Sequence, residues 1–209
     1  MRRINDIFYS LQGEGHNTGR AAVFVRFAGC NLRCSFCDTE FDTYREMTDD
    51  EVVAEISRYE VRGTRYEDCK PLIVLTGGEP TLQVDEALVH QLHQHGYWVA
   101  MESNGTRPAP GNLDWLTVSP KFNGEAWHLL QDGKQPDEVK IVFDLETPRR
   151  LENLTLPYPN VQPPYLFLQP CDKGDTAANA TIMSACIDYI KRHPRWRLSL
   201  QTHKLIGIE

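Results

Sequence analysis

The sequence has no apolar run approaching the ~20 residues a membrane-spanning helix needs, no internal repeat, no low-complexity tract and no cluster of lysine and arginine. Each absence excludes something. Without an apolar span, no membrane association is expected. The opening MRRINDIFYS is basic but carries neither an apolar stretch nor a small-residue cleavage site, so no secretory signal is expected and the cytoplasm is the expected location. Acidic residues number 29 against 22 basic ones, a formal charge of −7, so the surface lacks the electrostatic footprint that grips phosphates. Nucleic acid is therefore not an expected partner. Cysteines are few, six in 209 residues. In a reducing compartment they do not form a disulfide framework, and the scattered Cys69, Cys171 and Cys186 read as buried or idle thiols. With 41% hydrophobic and 24% charged residues, the composition is globular, and one domain over residues 1–209 is the economical expectation. The polar stretch 108–112 and the proline-rich stretch 157–164 read as loops rather than interdomain linkers.

What is present is a recurring unit. Apolar runs at residues 22–27 (AVFVRF), 72–75 (LIVL), 98–101 (WVAM), 115–118 (WLTV), 139–143 (VKIVF), 165–168 (YLFL) and 197–200 (RLSL) predict strands. Residues 48–60 predict a helix, with Thr48 as N-cap, acidic residues in the first turn and Val52, Ile56 and Tyr59 on one face. Residues 85–95 and 181–192 predict two more. Near-continuous apolar strands separated by helices predict buried parallel strands in βα units, an α/β fold. Polar or glycine-rich signatures follow nearly every strand: the cysteine loop, TGGEP, ESNG, SPK, QPCD and QTHK. In β/α barrels that C-terminal edge is where sites are assembled from separate loops. The chain is short for a complete barrel of ~250 residues, which favours a partial, open one.

Cys30, Cys34 and Cys37 form a C-x3-C-x2-C triad. A complete 4Fe–4S ligand set is four thiolates. A loop supplying three leaves one iron open for chemistry, as a catalytic zinc site keeps an open position. Structural zinc is the alternative, but it wants four ligands, and His16 and Cys69 stand at no zinc-ribbon spacing. His90, His93 and His95 lie on a predicted helix, where only His90 and His93 share a face and no third ligand completes a motif. A solvated helix face is expected there.

The triad, with Phe36 before its last cysteine, resembles the C-x3-C-x-aromatic-C signature of the radical S-adenosylmethionine superfamily. The resemblance implies a partial (β/α)6-type open TIM-like barrel and a 4Fe–4S cluster on Cys30, Cys34 and Cys37. It implies S-adenosylmethionine chelated to the unique iron, whose reductive cleavage gives a 5′-deoxyadenosyl radical that takes hydrogen from substrate. No catalytic side chain is implied beyond cluster and cofactor. Cofactor contacts are implied for Phe36, Cys37 and Asp38, for Gly78 and Glu79 at the methionine amino group, and for Ser103, Ser119, Pro120, Lys121, Gln169, Pro170, Cys171 and Asp172. Singly, each is an ordinary loop residue, and Gly-Gly before Pro is ordinary turn chemistry. Glycine does permit close backbone approach, and a carboxylate accepts hydrogen bonds from an ammonium.

The two ends of the chain narrow the resemblance. SLQGEG at residues 10–15, Arg26, Cys37-Asp38-Thr39 and QTHK at 201–204 are similar to the 7-carboxy-7-deazaguanine synthase family over residues 4–209. That family converts 6-carboxy-5,6,7,8-tetrahydropterin to 7-carboxy-7-deazaguanine and ammonia, in queuosine and other 7-deazapurine biosynthesis. The likeness implies substrate contacts from Leu11, Gln12, Gly13, Glu14, Arg26, Thr76, His203 and Glu209. It also implies Mg²⁺ at Thr39, a homodimer, and an electron donor such as flavodoxin or ferredoxin. The chemistry agrees: a pterin edge alternates donors and acceptors, and its carboxylate suits the guanidinium fork of Arg26. Mg²⁺ keeps several waters, so a single protein hydroxyl is tolerable. The competing readings are a glycyl-radical-enzyme activase, which would share the triad and GGE, and a non-catalytic zinc-stabilised interaction module.

Overall fold

The computed structural model describes residues 1–37, 39–40, 42–59, 70–121, 133–152 and 165–208. Asp38, Cys69 and Glu209, and the loop expected at 157–164, lie outside these residues. Among the described residues nine strands form one sheet: β1 (Arg2–Leu11), β2 (Ala21–Phe27), β3 (Arg45–Met47), β4 (Leu72–Gly77), β5 (Val99–Ser103), β6 (Trp115–Val118), β7 (Glu138–Phe143), β8 (Tyr165–Pro170) and β9 (Trp196–Leu198). Their order is β3-β1-β2-β4-β5-β6-β7-β8-β9. From β2 onward neighbours are parallel, whereas β1 runs antiparallel to both β2 and β3. The end strands β3 and β9 do not pair with each other, so the sheet is open rather than closed into a barrel.

The helices are α1 (Asp49–Ile56), α2 (Glu86–Gln94), α3 (Thr147–Leu151), α4 (Thr176–Arg192) and α5 (Thr202–Ile206). α1 starts where a capping box forces it to: the Thr48 side chain accepts from Glu51 N–H while Glu51 reaches back to Thr48. Asp85 and Asp175 cap α2 and α4 in the same way, each accepting from a backbone N–H three residues on. Val52, Val53 and Ile56 of α1 and Leu88, Val89 and Leu92 of α2 pack on one face of the sheet with Val23, Val25, Phe27, Ile73, Leu75, Val99, Met101, Leu116 and Val118. A second cluster joins Val139, Ile141, Phe143, Leu166 and Leu168 to Ile182, Cys186 and Tyr189 of α4. Burying each such side chain contributes about 1.5–3 kcal/mol against the cost of ordering it. Cys186 is thus core; burial pushes its thiol up to about 12. Because strand side chains alternate, the residues between these point to the other face. That second face holds the site.

The seven expected strands are present with ends shifted by a residue or two. β1 was not expected, because charged and apolar residues mix within RRINDIFYSL and a register irregularity between Ile4 and Asp6 breaks its alternation. The helix expected over 48–60 closes as a 3-10 turn at Ser57–Tyr59, and that over 181–192 begins earlier, at Thr176. His93 bonds to Asp114 at 2.8 Å, tying α2 to the segment before β6, and His90 bonds to Gln94 at 3.1 Å along the helix.

Candidate active site

The cysteine loop leaves the C-terminal edge of β2 through Gly29, whose φ of +85° favours glycine. Cys30 and Cys34 are half-buried and Cys37 is exposed. Leu32 N–H lies 3.4 Å from Cys30 Sγ, and Cys37 N–H donates to Cys34 O at 3.2 Å, which curls the loop into a turn. Burial and then the charge of neighbouring groups, the other cysteines among them, push the Cys30 and Cys34 thiols up. Three mutually repelling thiolates are a donor set that wants cations. A structural zinc site wants four ligands, and this loop supplies three thiols, a set that suits a multi-iron group with one open position.

TGGEP at the end of β4 lies directly against this loop. Gly78 N–H donates to Phe27 O and Glu79 N–H to Gly29 O, both at 2.9 Å. A Cβ on Gly78 would overlap the Gly29 carbonyl, so the motif's second glycine is set by contact with the cysteine loop. The Glu79 carboxylate is fully buried and already accepts four hydrogen bonds: Thr81 N–H at 3.1 Å, Thr81 Oγ1 at 2.6 Å, Ser103 Oγ at 2.8 Å and Asn104 N–H at 2.7 Å. It welds β4 to the loop after β5 and fills about four lone-pair sites, so a cofactor ammonium would meet it by displacing one of these donors. Asn104 Nδ2 in turn stands 4.0 Å from Cys30 Sγ.

Beneath this edge, the second face of the sheet carries charge. Lys140 on β7 reaches across to donate to Glu14 and, at 2.9 Å, to Glu102 at the end of β5. Gln12 Nε2 donates to Glu102 at 2.8 Å. Gln169 and Gln201 donate to the Glu14 carboxylate at 3.1 and 2.9 Å, and Ser199 Oγ donates to Gln169 Oε1 at 3.0 Å. Burial pushes Glu14 up, but the charge and hydrogen bond of Lys140, with Gln201 and Gln169, outweigh it and hold the carboxyl at about 2. Glu138, on the same face as Lys140, is raised to about 7, because burial exceeds the help it receives from Lys140 and from His16 N–H.

LQGEG and QTHK meet here. Thr202 bonds to the Gly13 carbonyl, and the His203 ring covers Gly13 so closely that a Cβ there would overlap it. Below them, at the N-terminal edge, His16 stacks on both Trp115 (4.9 Å) and Tyr165 (4.4 Å), which also contact each other, with Arg197 over Tyr165 at 4.9 Å. These rings floor the sheet's inner face.

Residues 24–121 match the Radical SAM superfamily. The chain is 46% identical to the 7-carboxy-7-deazaguanine synthase of Bacteroides thetaiotaomicron over 100% of its own length and 99% of the relative's. It is 39% identical to that of Bradyrhizobium diazoefficiens, with 98% of each chain covered. The chain belongs to the 7-carboxy-7-deazaguanine synthase family. Its fold also matches a crystal structure of QueE from Escherichia coli, at a TM-score of 0.77 and 27% identity over 95% of this chain and 93% of that one. Superfamily membership implies a 4Fe–4S cluster and S-adenosylmethionine, for which the cysteine loop is suited.

The residues expected from the resemblance fall into several groups. Cys30, Cys34, Cys37, Gly78, Glu79 and Ser103 share the cluster edge, bound to one another through Gly29 and Asn104. Ser119 and Lys121 pair at 2.8 Å, beside buried Pro120, with Lys121 Nζ 5.8 Å from the exposed Phe36 ring; burial lowers the lysine's pKa. Gln12, Gly13, Glu14 and His203 share the inner face, and Gln169, expected at the cofactor, joins them through Glu14. Arg26 and Thr76 are register partners on β2 and β4, with Arg26 stacked on Phe8 at 4.5 Å. Leu11 is exposed at the end of β1, and Thr39 is half-buried, its carbonyl 3.7 Å from Cys37 Sγ. Asp172 is exposed and held near 2 by Gly174 N–H, Asn179 and Lys204, so it fastens the loop beside Pro170 and buried Cys171 to α5.

Sequence reasoning passed over Lys140, Glu138, Glu102 and Gln201. The signal was present: Glu138 and Lys140 stand two apart in a strand otherwise apolar, hence on one face, and two charges on one buried face require partners.

Proposed function

We propose that this chain, as a single radical SAM domain over residues 1–209, converts 6-carboxy-5,6,7,8-tetrahydropterin to 7-carboxy-7-deazaguanine. The product and ammonia together contain every atom of the substrate, so the reaction is a lyase step with no net oxidant. One observation carries the assignment. The LQGEG and QTHK segments are folded against each other on the inner face of the sheet whose C-terminal edge bears the three cysteines. The cluster and S-adenosylmethionine supply one-electron chemistry there; the chain's own residues bind, orient and enclose.

In this reading Gln12, Glu14, the backbone of residues 11–13, Thr76 and His203 hold the pterin by hydrogen bonds, and Arg26 pairs with its carboxylate. Glu209 contributes a carboxylate of its own. Phe36, Cys37, Asp38, Gly78, Glu79, Ser103, Ser119, Pro120, Lys121, Pro170, Cys171 and Asp172 lie on the cofactor side, while Gln169 steadies Glu14. Thr39 offers one hydroxyl to Mg²⁺, whose other oxygens come from substrate and water. The enzyme works in the cytoplasm as a homodimer, with electrons from a flavodoxin- or ferredoxin-type donor. No described helix is long and apolar enough to cross a membrane.

Anaerobic product analysis with the pterin, S-adenosylmethionine and a reductant tests the assignment. Formation of 7-carboxy-7-deazaguanine, stimulated by Mg²⁺, is expected. Release of 5′-deoxyadenosine with no deazapurine would favour the activase reading, and a colourless zinc protein without iron would favour the interaction module.

A further inference from the structure

The inner face holds more negative charge than its own cations need. Lys140 is sealed beneath it, its side chain 4% exposed, while Glu14 and Glu102 keep 16% and 23% of theirs open. A single counter-ion would satisfy a buried ammonium, yet Glu14 from the β1–β2 loop, Glu102 from β5 and Glu138 from β7 all act on it, and Lys121 at the edge is a second cation that feels Glu14 and Glu102. A buried ion pair contributes little to stability and is frequently matched by apolar residues, so stability does not account for the arrangement. Acceptor capacity is also left over. A carboxylate has about four lone-pair sites, and Glu102 takes only Lys140 and Gln12 among the described residues.

We infer that Lys140 is a positioning residue for substrate recognition: its ammonium fixes the Glu14 carboxylate, beside Glu102, as an ionised acceptor for the amino and ring N–H donors of the pterin edge. The inference rests on the functional reading above. A neutral carboxyl carries a hydrogen of its own and would meet those donors half the time with another donor. Lys140 removes that ambiguity. Burial alone would drive Glu14 toward the neutral form, and the lysine's charge and hydrogen bond are the largest forces against it.

Anaerobic equilibrium binding of 6-carboxy-5,6,7,8-tetrahydropterin to the cluster-loaded protein, without S-adenosylmethionine, reads the pocket with no turnover. Lys140→Met and Glu14→Gln are each expected to weaken binding about 30-fold, the scale of a charge-assisted hydrogen bond. The double variant is expected to bind within about threefold of Glu14→Gln alone, because the lysine acts through the glutamate. In Lys140→Met, affinity relative to the parent should fall further between pH 8 and pH 6, as the released carboxyl titrates; loss of packing alone would not produce that slope. Binding by Lys140→Met within threefold of the parent, or losses that multiply in the double variant, would overturn the inference. Should Lys140→Met not fold, the comparison of Glu14→Gln with the charge-compensated double variant decides alone. A parent protein that does not bind the pterin overturns the functional reading as well, a result distinct from equal binding by parent and variant.

Discussion

Thr202 donates twice to one acceptor: its backbone N–H at 3.0 Å and its hydroxyl at 2.9 Å both meet the carbonyl oxygen of Gly13. This double bond of contacts places His203 over Gly13 and Gln201 against Glu14. Thr202→Val keeps the shape and removes one donor, a change of about 1 kcal/mol. It is expected to raise KM for the pterin about fivefold with kcat little altered. Gly13→Ala, whose methyl must displace the His203 ring, is expected to raise KM more. Steady-state kinetics on both variants checks the order.

Gly78 has no room for a side chain, since the obstacle is the backbone of Gly29 and Cys30 rather than a yielding side-chain tip. Gly78→Ala should therefore push the cysteine loop away from TGGEP. Iron and sulfide bound per chain after anaerobic reconstitution are expected to fall well below parental values, while far-ultraviolet circular dichroism stays parental.

Glu79→Gln tests the four-bond weld. The amide's NH2 must face a donor, Asn104 N–H or the Thr81 and Ser103 groups, in a fully buried place. A buried donor left unmatched costs about 1–3 kcal/mol. Thermal unfolding should shift down by roughly 2–10 °C in a chain of this size.

Glu138 gives the protein a pH dependence of definite sign. Its folded pKa of about 7 lies above the ordinary 4.5, so the folded state binds the proton more tightly. Its contribution is fully present below about 4.5 and is lost as pH rises through 7. The charges that face it are Lys140 on its own strand, Glu102 from β5 and Glu14 from the β1–β2 loop, with His16 N–H as its donor. Glu138→Gln keeps an oxygen for His16 and carries no charge. The variant should melt near the parent at pH 5 and above it at pH 8. A constant difference across that range would refute the assignment.

Much of the fold is legible because β2 and β4 through β9 are apolar runs, all but β7 followed by a polar signature, and each run becomes a strand. The cysteine triad and TGGEP are legible for the same reason, being contiguous. The inner-face network is not contiguous. Glu14, Glu102, Lys140, Gln169 and Gln201 come from five separate segments, and only strand register brings them together. Glu79 shows the complementary difference: its place in the motif was legible, but two of its four donors depend on where Ser103 and Asn104 arrive.

Gln201 and Glu14 bond across 187 positions of sequence. At translation rates of about 5–20 residues per second, roughly 10–40 s separate the synthesis of one from that of the other. The cysteine loop is made early in that interval, and the expected cofactor contacts at 119–121 and 170–172 follow it. Residues 201–203 are the last of the five inner-face segments to be made, so the network closes only when nearly the whole chain is present.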